Sequence, residues 1–234
     1  MNKATRHELI GRYEEAVSFL LRGISAHQGR GLSHSYSFWI NPIQSWHQAY
    51  PEVTGYTLPT LFQIKGQQQE TAREYAEHCI DWLLSIQSKQ GWWYGGVDFN
   101  QGPSFFNSTM IIGGLTDAYN FSSNPQIPDA IQRCLEWMLK LPNPDGSITQ
   151  HAYVPNFQPT YYTRAAWAIL KSSQLVNSYS ALQLATRLFK TTKSKTHNWG
   201  IEDAGFEKGK PAFLHTIAYT LRGQFEFQTL IGDQ

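Results

Sequence analysis

The chain has 234 residues, 41% hydrophobic and 16% charged, with 19 Lys plus Arg against 18 Asp plus Glu and a formal charge of +1. That balance excludes the clustered basic excess of a nucleic-acid binder, and an aromatic content of 14% excludes a disordered chain. The two cysteines, Cys79 and Cys134, are too few for a disulfide framework and lack CxxC spacing, so they read as buried apolar packing.

The first predicted helix covers 3–27. Charges interrupt every apolar run within Met1–Leu21, so no signal-peptide core is read there. Nowhere does an apolar run reach the roughly 18 residues a membrane span needs. No membrane insertion is therefore expected, and a cytoplasmic location follows. A polar, aromatic segment from Gly29 to Pro51 comes next. It is too long for a plain linker and reads as functional or folded over a site.

Helices are then predicted over 55–65, 69–88, 107–121, 127–141, 160–176, 178–193 and 212–230. Strand signals are poor. The segments HCIDWLLSIQSKQGWW from His78 and RCLEWMLKLPNPDGSI from Arg133 align without gaps, pairing Cys79 with Cys134, Trp82 with Trp137 and Gly91 with Gly146. Weaker copies begin at Ala16 and Ala185. A second series, EVTGYTLPTL, FNSTMIIGGL, YYTRAAWAIL and LHTIAYTLRG, aligns on Thr54, Ser108, Thr163 and Thr216 with a period of about 54 residues. A hydroxyl residue before an apolar run predicts an N-cap at each. The second series is richer in apolar and small residues, so it reads as buried and the first as half exposed.

Four helical hairpins are thus predicted, about eight helices, as one domain with repeats near 1–66, 67–121, 122–176 and 177–234. Alternating exposed and buried helices fit two concentric rings, with an open solenoid as the other solution. Tyr, His, Arg and Asn near the buried N-termini favour rings around a cavity. The expected fold class is all-α.

The stretch Gln87-Ser88-Lys89-Gln90-Gly91-Trp92-Trp93 matches the QxxxGxW repeat, and the chain resembles the α/α-toroid superfamily of terpenoid cyclases and protein prenyltransferase β subunits. A closer resemblance is to toroid proteins of bacterial surface-polysaccharide gene clusters. It is carried by Tyr50–Tyr56, Tyr161–Trp167 and Leu214–Tyr219. The resemblance implies the fold, an incomplete α/α toroid of about four helical hairpins, and a link to polysaccharide assembly. A full toroid has about six hairpins, so the ring is expected to be open, completed by a second copy or another protein, or cut from a longer chain. Related proteins tend to carry an acid where Asn107 stands, which puts carboxylate chemistry at that position in doubt.

The DxDD motif of terpenoid cyclases and the DxC zinc ligands of prenyltransferases are absent, as are HExxH, GxSxG and the P-loop. No metal and no cofactor are expected. Candidate site residues are Glu52, Tyr56, Asn107, Tyr161, Tyr162, Arg164, His215 and Tyr219, with Arg222 deeper. Four helix N-termini at one mouth, each carrying about half a positive charge, would favour an anion. His215, Tyr162 and Tyr219 are the catalytic candidates for proton transfer at C5 of a uronic acid. Arg164 and Asn107 would clamp its carboxylate. Trp92, Trp93, Tyr94, Trp39 and Trp46 are candidate sugar platforms.

The expected ligand is an acidic saccharide or polysaccharide intermediate, handled by lyase or epimerase chemistry. A pair drawn from Glu52, Asp98, Asp203 and Glu226 would instead support hydrolysis. The alternatives are a non-catalytic glycan-binding or scaffold subunit, and a cyclase or prenyltransferase relative without its motifs.

Overall fold

The computed structural model describes residues 3–38, 46–96 and 102–232. Its helices are α1 (Lys3–Ser25), α2 (Pro51–Gln63), α3 (Gln69–Ser85), α4 (Phe105–Ser122), α5 (Gln126–Met138), α6 (Tyr162–Leu175), α7 (Tyr179–Lys193) and α8 (Leu214–Gly232). Among the described residues the strands are β1 (Thr196–His197) and β2 (Gly200–Ile201), antiparallel around Asn198 and Trp199. The molecule is all-α, and each predicted helix is present to within about one turn.

The helices form two layers. α2, α4, α6 and α8 pack in that order as an inner row, and α3, α5 and α7 lie outside against α2, α4 and α6. The row curves, because all four inner helices line one groove. Short joins at 64–68, 123–125 and 176–178 connect each inner helix to the next outer one, while the connections from outer to inner helices are long. The inner helices therefore run parallel. Their N-termini share one end with the long connections.

Apolar spacing decides which faces meet. Ile127, Ile131, Cys134, Leu135 and Met138 recur on one side of α5 and are fully enclosed. Cys79 and Cys134 are both buried, and burial pushes the Cys79 thiol up to about 12. α4 is enclosed on most sides, with Ile111, Ile112 and Leu115 wholly buried. α2 and α4 approach backbone to backbone: a Cβ on Gly114 would collide with the carbonyl of Gly55.

The QxxxGxW stretch ties one repeat to the next. Gln87 Nε2 donates to the carbonyls of Gly91 at 2.8 Å and Ala130 at 2.9 Å, and Arg133 donates to Gln87 Oε1. Gly91 has φ of 100° and abuts the Arg133 backbone, so a side chain has neither the conformation nor the space there.

Two expectations need correction. The aligned hydroxyls are not N-caps but lie inside the helices. α2 starts at Pro51, where a fixed φ suits the first helical position, and Ser104 caps α4 by accepting from the Asn107 N–H. Thr54 and Ser108 instead accept the backbone N–H of Leu32 and Trp93, at 2.9 and 3.0 Å, and so fasten the incoming connection to the helix. α8 is not enclosed like its counterparts. Leu214, Leu221 and Phe225 are 83%, 52% and 70% exposed, because no further helix covers that side among the described residues. The described parts of the segment after α1 reach the start of α2 at one end, where the Leu32 N–H donates to Thr54 Oγ1 and the Tyr50 N–H to the Leu32 carbonyl, and lie on α1 at the other. Tyr36 and Trp46 pair across it and pack on Phe19 of α1.

Candidate functional site

The first turns of the four inner helices converge on a cavity of about 330 Å³. Tyr50, Ser104 and Tyr161 immediately precede α2, α4 and α6; Glu52 comes from α2, Phe106 and Asn107 from α4, and His215, Thr216 and Tyr219 from α8. The long connections add Gly96, Tyr153 and Phe206. Equivalent positions of successive repeats thus become neighbours, because parallel helices in a curved row present the same end to one opening.

Five sequence candidates meet here: Glu52, Asn107, Tyr161, His215 and Tyr219. Glu52 is partly buried, and its carboxyl is pushed up to about 7. Burial is the main cause, opposed by a hydrogen bond from Tyr50 and by the charge of Arg164. The Tyr50 hydroxyl also accepts from Asn107 Nδ2 at 2.8 Å. Asn107 therefore positions Tyr50, which positions Glu52. Tyr50 and Tyr161 both hold their protons above the usual phenol range, first through burial and then through the Glu52 charge.

The walls are aromatic. Phe106 lies edge-on to Tyr161 at 5.0 Å and stacks on Tyr219 at 6.1 Å. His215, one turn before Tyr219, is exposed at the rim, 5.6 Å from the Phe206 ring. Flat apolar rings beside a carboxyl that titrates near neutrality can stack a sugar face and exchange a proton with it.

Arg164 and Tyr56 are not part of this cavity. They line the adjoining inner groove, with the Arg164 guanidinium 4.3 Å above the Tyr219 ring and 6.0 Å from that of Tyr56. Arg164 Nε donates to Met110 Sδ at 3.3 Å. The predicted clamp of Arg164 with Asn107 is therefore not assembled, since the rings of Tyr56 and Tyr219 stand between the two cavities.

Tyr162 is fully buried and packs on Phe105 at 5.1 Å and Phe106 at 5.9 Å. Its neighbour Tyr161 takes the cavity position, because successive residues on a helix point about 100° apart. Trp93 is also wholly buried, with Nε1 donating to the Leu83 carbonyl at 2.8 Å. Trp92, partly buried against Tyr94 at 4.8 Å, and Trp46, packed towards α1, line neither cavity. Trp39 and Asp98 lie outside the described residues. Asp203 pairs with Lys195 and Glu226 with Arg222, so Glu52 has no second carboxylate beside it in the cavity among the described residues.

Sequence reasoning missed Tyr50, Phe106, Tyr153 and Phe206. Tyr50 had a legible signal, its place just before a helix-starting proline. Tyr153 and Phe206 sit in connections without periodicity. Among the described residues no three His, Cys, Asp or Glu side chains form a metal-binding group, and no helix is long and apolar enough to cross a membrane. No family model, curated protein or solved structure matches the chain.

Proposed function

We propose that the protein is an incomplete α/α toroid of polysaccharide assembly that takes an acidic saccharide into the cavity at the inner N-termini. The observation supporting this is the meeting of Glu52, Asn107, Tyr161, His215 and Tyr219 within one aromatic-walled opening. The sugar ring stacks on Phe106, Tyr161 and Tyr219. Its carboxylate faces the partial positive charge of the helix starts. Glu52, held by Tyr50, exchanges a proton at C5, and His215 or Tyr219 serves as the second proton carrier.

Proton return to the opposite face gives the epimer; breakage of the C4–O bond with loss of the leaving oxygen gives the unsaturated sugar. Incubation with uronic-acid oligosaccharides in heavy water separates these outcomes. Deuterium at C5 marks epimerisation, and ultraviolet absorbance of the new double bond marks elimination. The expected result is one of these signals, reduced at least about 100-fold in Glu52→Gln and His215→Gln. Absence of both signals, with no thermal shift from any uronide, ends the catalytic reading.

A second reading is a non-catalytic scaffold completed by a second copy or another protein. The exposed apolar side of α8 supports it. The isoprenoid alternative is the weakest, because Glu52, Asn107 and His215 make the cavity too polar for a hydrocarbon chain.

A further inference from the structure

Behind the Tyr56 and Tyr219 rings, the inner groove encloses about 450 Å³. Its lining carries three cationic side chains, Arg164, Lys171 and Arg222, against a single carboxylate, Asp117. Asp117 is taken by Lys171, with Nζ to Oδ2 at 2.6 Å, and Arg222 lies 3.4 Å from Glu226 one turn along α8. Arg164 makes no direct ion pair among the described residues, and the carboxylate whose charge reaches it is Glu52 in the neighbouring cavity. Trp167 lies between the other two cations, 4.3 Å from Lys171 and 5.6 Å from Arg222.

All of these groups stand on packed helices, so the charge cannot disperse by movement of a loop. Burial lowers the proton affinity of both Arg164 and Lys171; Tyr219 and Asp117 respectively oppose it, and the repulsion of neighbouring cations adds to it. Positive charge held in a partly buried groove without full compensation favours a desolvated counter-charge. A planar guanidinium beside an ammonium offers an oxyanion both forked and point-charge contacts.

We propose that the groove bounded by Arg164, Lys171 and Arg222 is an oxyanion-binding site, separate from the mouth at Glu52 and independent of the saccharide reading. The group it takes is a carboxylate, sulfate or phosphate on a ligand with an apolar face that packs on Trp167. Isothermal titration with trigalacturonate, inorganic pyrophosphate and neutral maltotriose tests this. At least one anion binds at least tenfold more tightly than maltotriose, and its affinity declines with added salt. Arg164→Gln weakens it about tenfold, and Asp117→Asn/Lys171→Gln at least about fivefold.

Trp167→Phe removes the ligand-induced fluorescence change. Arg164→Lys keeps the charge and restores part of the affinity, and it replaces the Gln variant if that one does not fold. Binding of trigalacturonate alone assigns the anion to a sugar chain, and binding of pyrophosphate alone assigns it to a phosphate. Either result supports the site. No anion binding at millimolar concentration, or affinity unchanged in Arg164→Gln, overturns it.

Discussion

At Glu52 two opposed effects set the proton affinity, and burial outweighs the hydrogen bond from Tyr50 and the field of Arg164. The folded protein holds this proton more tightly than the unfolded chain does. Its favourable contribution is therefore complete below about pH 4.5 and is lost as pH rises through about 7. The loss is on the order of 3 kcal/mol. Glu52→Gln should be more stable than wild type at pH 8 and indistinguishable at pH 4 in thermal unfolding; equal stability at both pH values would contradict the buried-acid picture. The same linkage makes uronate binding tighter below pH 7, with proton uptake measurable by calorimetry in buffers of different ionisation heat. At this scale residue type was legible and direction was not. Tyr161 and Tyr162, or Trp92 and Trp93, are equivalent as letters. Only the helix phase and the Leu83 carbonyl decide which one is core.

Among the elements, the inner row rests on a contact without side chains. Gly114 stands against the Gly55 carbonyl, whereas Gly11 of α1 faces open space. Gly114→Ala should destabilise by about 3 kcal/mol, because backbone must shift to admit one methyl group. Gly11→Ala should stabilise by about 0.5–1 kcal/mol through helix propensity alone. Urea unfolding of the two variants checks both signs. Helix positions were readable because apolar spacing and repeat alignment agreed. The cap assignments failed because a hydroxyl before an apolar run also suits a residue inside the first turn, where Thr54 and Ser108 receive N–H groups from distant chain. Composition likewise marked α8 as buried. Apolar letters record a face made for contact and cannot tell whether that contact is met within the same chain.

For the molecule as a whole, that unmet face is an open boundary among the described residues. Leu214, Leu221 and Phe225 recur along one side of α8, in a row whose other members are covered by neighbours. If a second copy supplies the cover, wild type sediments as a dimer or larger at micromolar concentration, and Leu221→Glu/Phe225→Glu sediments as a monomer. A monomeric wild type rules out self-completion. The convergence of equivalent positions was legible from the repeat period, since parallel units in a curved row must align their ends. The division into two cavities was not, because it depends on the orientation of the Tyr56 and Tyr219 rings and on where Arg164 lays its guanidinium.

The short joins lie at the far end of the inner helices, roughly 27 Å from the mouth along α4. Ser180, exposed at the start of α7, sits beside one of them. Both native thiols are buried, so Ser180→Cys would offer a single reactive handle. Tethered there to a biosensor chip, the protein would present its opening to the flowing analyte, whereas attachment through Tyr153 would plug it.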